Sequence, residues 1–293
     1  MIITDTAKTD EYLARIGYYR LSAYWYGFRV IEPDGQAGDE FKLGTEFHSV
    51  VELYVFDKRL RLLMLDALER IEIVLRTDVA LQLGAKAPFA HRDPAYLDRG
   101  FTRMNQGYRQ SRHQAWIDRL NRLEADSKEE FAKHFRTKYA GSDFPIWIAV
   151  EMFEFGALSI LLSGLAYADR RTIAARYGVT DAQMFTSWVR TLTGVRNVCA
   201  HHARLWNKPL VDQPRLPAPG ALPLLDHLRA NRQAQTRLYA AAAIAAFLLK
   251  TINPSSSWRD RFKALMADFP TNPHVTPQGS GLPAGWEQLP LWN

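Results

Sequence analysis

The chain reads as mainly α-helical, a single domain with a small β-hairpin near the N terminus and a C-terminal helical extension. Three observations predict this. Apolar residues recur at helical spacing through Val50, Leu53, Tyr54, Leu60, Met64, Leu68, Ile71, Leu75 and Val79. Two further stretches, 146–165 and 238–252, are apolar nearly all round, the pattern of buried helices. The strand signal is Phe28-Arg29-Val30-Ile31-Glu32 followed by the turn Pro33-Asp34-Gly35, with residues 39–43 as the returning partner.

Each element has a local reason. Residues 11–26 are aromatic-rich and read as a short helix. Thr45 can cap a long helix over about 46–83, with Gly84 as its stop. On that helix Glu69, Glu72 and Arg76 fall on one side, and Glu72 and Arg76 form a favourable i, i+4 pair. They are either a solvated stripe or a grip on another helix. Ser142 or Asp143 can cap the apolar helix over 146–165, with Pro145 in its first turn. Glu151 and Glu154 interrupt that helix, and carboxylates there need a partner such as arginine. Thr180-Asp181-Ala182-Gln183 is a capping-box pattern opening a helix that should run to about Trp206, with Pro209 beyond its end. A proline-rich connection over 213–223 leads to helices over 229–252 and 258–268, the second with Ser255, Ser256 or Ser257 as N-cap. The tail from Phe269 is rich in Pro and Gly and reads as an extended arm held by Trp286 and Trp292. Residues 1–44, 45–210 and 211–293 are thus the N-terminal helix and hairpin, the core, and the C-terminal helices and tail.

Of 293 residues, 47% are hydrophobic and 23% charged, a balance that buries a sizeable core. The net charge of +6 suits a polyanionic partner, and equally simple solubility. One cysteine, Cys199, allows no intrachain disulfide and fits a reducing cytoplasm; it reads as a small buried residue rather than a nucleophile. The N terminus lacks a signal pattern, and the longest apolar run, 238–252, is short of the ~20 residues a membrane span needs.

Chemistry concentrates in residues 193–207, Thr-Gly-Val-Arg-Asn-Val-Cys-Ala-His-His-Ala-Arg-Leu-Trp-Asn. Asn197, His201 and Arg204 recur at i, i+4 and i+7 and share one helix face. Arg196 lies about 140° round the helix from His201 at ~100° per residue. One ideal helix does not bring these two together; either the helix is distorted or a second copy completes the site. Adjacent histidines diverge on a helix, and no His-Glu-x-x-His or Cys-x-x-Cys is present, so no metal or cofactor is implied.

The stretch resembles the Arg-(four to six residues)-His signature of the HEPN superfamily, many of whose members are metal-independent RNA endonucleases. The longer string from Arg196 to Asn207 is similar to abortive-infection proteins of the AbiD/AbiF kind. So are Ile16-Gly17-Tyr18-Tyr19-Arg20-Leu21-Ser22-Ala23-Tyr24, Phe56-Asp57-Lys58-Arg59-Leu60-Arg61 with Glu69-Arg70-Ile71-Glu72, and Pro145-Ile146-Trp147 leading into Phe155-Gly156-Ala157-Leu158-Ser159. The resemblance covers nearly the whole chain. It implies a HEPN-like helical bundle and a phage-defence ribonuclease acting as a toxin, restrained by an antitoxin protein or a structured RNA. Members usually carry a further helix before residue 11, so the start is expected to be truncated or mis-assigned. The resemblance also strengthens the reading that Glu69, Arg70 or Glu72 holds the Arg196–His201 helix.

Cutting RNA without a metal uses the ribose 2′-hydroxyl as nucleophile. Histidine, with an unperturbed pKa of ~6.5, supplies the acid or base. Arginine, a charged planar fork, clamps the phosphate. The expected roles are therefore His201 as acid/base and Arg196 as clamp. Asn197 would orient one of them, and His202 and Arg204 would support. Products should carry 2′,3′-cyclic phosphate and 5′-hydroxyl ends. A homodimer would resolve the angular mismatch between Arg196 and His201. Residues 99–139 mix cations, among them Arg109, Arg112, Arg119 and Arg122, with aromatics such as Phe101, Tyr108 and Trp116. That mixture suits single-stranded nucleic acid and equally describes amphipathic helices with a charged outer face. Two rivals remain: an RNA-binding module that does not cut, and a structural role in which the motif cements a dimer.

Overall fold

A computed structural model describes residues 1–104 and 106–293. It opens with two helices rather than one over 11–26: α1 (Thr6–Ile16) and α2 (Tyr18–Trp25). Gly17 separates them with φ 90°, a conformation L side chains rarely adopt. The hairpin follows as β1 (Arg29–Ile31) and β2 (Ala37–Phe41), antiparallel, with Arg29 opposite Phe41 and Ile31 opposite Ala37.

The long helix is present as α3 (Phe47–Gly84). Thr45 does not cap it. Its hydroxyl donates to the Lys42 carbonyl, and Glu46 stands at the N-cap without a side-chain bond. Val50, Leu53, Leu60, Met64, Leu68, Ile71, Leu75 and Val79 are all completely buried, so the predicted apolar face is the central seam of the molecule. Each such side chain contributes about 1.5–3 kcal/mol on burial. Around α3 pack α2, α7 (Ile146–Ala149), α8 (Phe155–Gly164), α9 (Tyr167–Arg176), α10 (Ala182–Ala200), α12 (Leu238–Ile252) and α13 (Trp258–Ala267). The basic region forms α4 (Arg99–Thr102), α5 (Arg112–Asp126) and α6 (Glu130–Lys138), and α11 (Arg232–Thr236) precedes α12.

Two predicted helices are broken. The 146–165 stretch is α7, one 3₁₀ turn and α8, with Phe153 and Glu154 extended between them. Arg76 donates to the Phe153 carbonyl at 2.6 Å, so that acceptor belongs to α3's side chain rather than to a helix ladder. Asp143 faces Arg92 instead of capping, and Pro145 occupies the N-cap. The expected arginine partners exist: Arg119 pairs with Glu154, and Arg76 lies 4.0 Å from Glu151. Likewise 229–252 divides at Arg237, which is extended and donates to the carbonyl of Asn207. The tail is held as predicted. Trp292 is buried, stacks on Phe262 at 5.1 Å and donates to the Tyr239 hydroxyl at 3.0 Å, while Trp286 packs edge-on against it.

Candidate active site

The motif helix α10 opens where the capping pattern places it, with Asp181 accepting from the N–H groups of Gln183 and Met184. It does not reach Trp206. It ends at Ala200, and His201 is the C-cap. The next two residues form a Schellman closure: the His202 N–H donates to Cys199 O at 3.1 Å and the Ala203 N–H to Val198 O at 3.0 Å. His202 takes φ 56°, the left-handed position that glycine usually fills.

Asp57 is the reason the helix stops. Its carboxylate, fully buried on α3, accepts the N–H of Leu205 at 3.1 Å and of Trp206 at 2.6 Å, donors that a continuing helix would have used internally. Tyr24 of α2 donates to the same carboxylate at 2.7 Å, and Arg61 pairs with it one turn along α3. Burial and the neighbouring Asp57 push the Tyr24 hydroxyl well above the usual phenol range. Arg204 lies outside the helix, so it does not share a face with Asn197 and His201; it turns inward and donates to the Ala23 carbonyl at 2.5 Å. Arg20 donates to the His202 carbonyl at 2.7 Å. The helix end is thus gripped from α2 and α3 together.

This grip presents both imidazoles to solvent. His201 and His202 are exposed and line an open cleft of about 700 Å³ with Tyr18, Tyr19, Arg20 and Lys208. Tyr19 is 88% exposed, and Lys208 makes no side-chain hydrogen bond or ion pair among the described residues. Arg196 is not in that cleft. It points to Glu72 on α3, its Nε 3.8 Å from Oε2, and Glu72 is also held by Arg76 at 2.6 Å. Of the three α3 candidates, Glu72 meets the motif helix. Arg70 faces the other way, bonding Asp66 and Ser256, and Glu69 is exposed with no ion pair among the described residues. Asn197 is exposed on a separate groove described below. Cys199 is buried, and burial, with Asp57 adding, pushes its thiol up to about 12, a value that leaves it inert as a nucleophile.

The basic region behaves differently from its composition. Phe101 and Trp116 are core residues, Trp116 donating to the Ala157 carbonyl at 2.9 Å, so neither is free to stack a base. Arg119 is tied to Glu154, Arg112 lies over the Phe101 ring, and Arg109 and Arg122 are exposed.

Asp57, Tyr24, Arg61, Arg20 and Lys208 were not among the predicted site residues. One signal for Asp57 was available: it occupies a position between Leu53 and Leu60 on the apolar face of α3, where a carboxylate needs several donors. No curated protein and no solved structure matches the chain. A family model described as Abi-like protein matches residues 11–207, a span that begins in α1 and closes at Asn207, just past the amide that Asp57 holds. The chain belongs to the family of Abi-like proteins.

Proposed function

We propose that this protein is a phage-defence endoribonuclease of the AbiD/AbiF kind within the HEPN superfamily, cutting RNA without a metal. The observation that carries the reading is the pair His201–His202, exposed in a cleft with Arg20 and Lys208 on a helix end fixed by a buried carboxylate. Preorganised donors aimed at developing charge supply the greater part of the rate enhancement in many such reactions. In the proposed step the ribose 2′-hydroxyl loses its proton, a bond forms between its oxygen and phosphorus, and the bond from phosphorus to the 5′-oxygen breaks. The 5′-oxygen leaves with a proton. His201 serves as acid or base, and cations steady the pentacoordinate phosphate.

Arg196 and His201 do not meet within one chain, because Arg196 faces Glu72 while His201 faces the α2 side. The reading therefore includes a homodimer in which one copy's Arg196 serves the other's cleft. A cytoplasmic toxin of this kind needs restraint, by a partner protein or a structured RNA. No helix among the described residues is long and apolar enough to cross a membrane.

The test is incubation of single-stranded RNA with wild type, Arg196→Ala and His201→Ala in EDTA, with end-group analysis. Wild type should give 2′,3′-cyclic phosphate and 5′-hydroxyl ends, and both variants should fall at least a hundredfold. RNA binding without such ends in any of the three would replace the enzyme with a binding module. The Arg196–Glu72 contact favours one further alternative, a purely structural Arg196, in which case Arg196→Ala lowers stability and leaves cleavage intact.

A further inference from the structure

A second groove, of about 940 Å³, runs along α10 beside the His201 cleft. Four guanidinium groups from four segments line it: Arg112 of α5, Arg170 of α9, Arg190 of α10 and Arg215 of the loop after the motif. Among the described residues one carboxylate lines it, Asp212, which pairs with Arg190, and Arg170 is paired from outside the groove with Asp98 at 3.3 Å. Arg112 and Arg215 are positioned by neutral partners, Ser163 at 3.4 Å and Gln183 at 2.8 Å, so their charge is oriented but not neutralised. Fixed, uncompensated guanidinium groups are what a chain of phosphates requires.

Shared lining residues link the groove to the cleft. Gly194, Val211 and Asp212 also line a narrow apolar slot, and that slot shares Lys208 with the His201 cleft. From Arg190 to His201 the helix advances roughly 16 Å, the reach of a few nucleotides. Gly194 stands at the middle of this track. It is in a helix interior, it has no left-handed backbone, and a Cβ added there would meet nothing within 4 Å. Neither a turn nor packing requires glycine, although glycine costs a helix about 1 kcal/mol against alanine. What it leaves is bare helix backbone that a ligand can approach closely. Beside it Val211 is 90% exposed, an apolar lip for a base.

We infer that this track seats single-stranded RNA, the arginines holding phosphates while the chain crosses α10 at Gly194 toward His201. The choice of RNA rests on the ribonuclease reading above; the phosphate-binding groove does not.

The experiment uses the full chain carrying His201→Ala, to prevent turnover, and fluorescence anisotropy with a labelled twelve-residue uridylate. Arg190→Glu with Arg215→Glu should weaken binding at least tenfold and flatten the slope of log affinity against log salt by about 0.7 for each phosphate no longer held. Gly194→Gln should weaken binding about tenfold without lowering the thermal midpoint, since glutamine is the better helix former. Lys250→Glu, a single charge reversal on α12 outside the groove, should leave affinity unchanged. Wild-type affinity in the groove variants, or in Gly194→Gln, overturns the inference. So does equal competition by polyglutamate, which would make the occupant an acidic protein. Cleavage of a dinucleotide by the unmutated chain reports the His201 chemistry alone. Groove-dependent binding without that cleavage would therefore end the ribonuclease reading and leave the track standing.

Discussion

The carboxylate of Asp57 accepts the backbone N–H of Trp206 at 2.6 Å, joining the first third of α3 to the end of the histidine motif across 149 residues of sequence. This bond and its companion from Leu205 turn the chain out of the helix, and the turn exposes His201. Removing the carboxylate strands two amides, the Tyr24 hydroxyl and the Arg61 guanidinium in the interior. Asp57→Ala should lose about 3–5 kcal/mol in urea unfolding, the usual consequence of breaking a buried pair. Hydrogen exchange at Leu205 and Trp206 should accelerate first. Unchanged protection there would mean that Asp57 does not hold the loop.

His202 sits where the closure of α10 demands a left-handed residue. His202→Gly should therefore keep or raise stability, within about 1 kcal/mol, whereas His202→Val should cost about 1–2 kcal/mol. Thermal unfolding checks both. In the ribonuclease assay His202→Gly should reduce cleavage less than tenfold, because the position supplies a backbone turn while His201 supplies the proton transfer.

The separation of Arg196 from the His201 cleft gives the proposed dimer a direct test. Arg196→Ala and His201→Ala should each be inactive alone. Refolded together they should recover roughly a quarter of wild-type activity, since half of the dimers are mixed and each mixed dimer holds one intact site. Recovery is read by cyclic-phosphate formation after mixing. Two inactive proteins that stay inactive together would place both side chains in the same chain's site.

His91 supplies a pH dependence unrelated to catalysis. It is completely buried, both ring nitrogens lack a partner among the described residues, and burial, with Arg92 and His113 adding, pulls its pKa down to about 3. Below the unfolded value of ~6.5 the unfolded chain therefore binds a proton that the native chain refuses, so stability is present above that pH and is lost as pH falls toward 3. Between pH 6.5 and 4.5 this amounts to about 2–3 kcal/mol. Glu124 acts in the opposite sense, because burial raises its carboxyl to about 7 against the Arg92 charge, so its contribution falls as pH rises from 4.5 to 7. The difference between wild type and His91→Leu isolates the histidine. The variant's urea stability should drop less on acidification by about that amount, and equal slopes would refute the assignment.

The sequence alone determined the helices whose apolar face is continuous. The period from Val50 to Val79 became the seam of α3, and the Asp181 cap and the tail tryptophans lie where their local chemistry requires. It offered Glu69, Arg70 or Glu72 as the grip on the motif helix without choosing among them, and it located the histidines in the segment that the family match includes. Tertiary structure decided where helices stop and which polar groups meet. Local propensity carried 146–165, 229–252 and the motif to Trp206 as unbroken helices, but Arg76 and Asp57 take backbone groups at or beyond the first and last breaks into side-chain bonds, and at the second the Thr236 carbonyl accepts the Leu210 N–H at 2.7 Å. A carboxylate 149 residues away leaves no trace in local periodicity, so the turn that bares His201 could be read only once α3 and α10 were packed together.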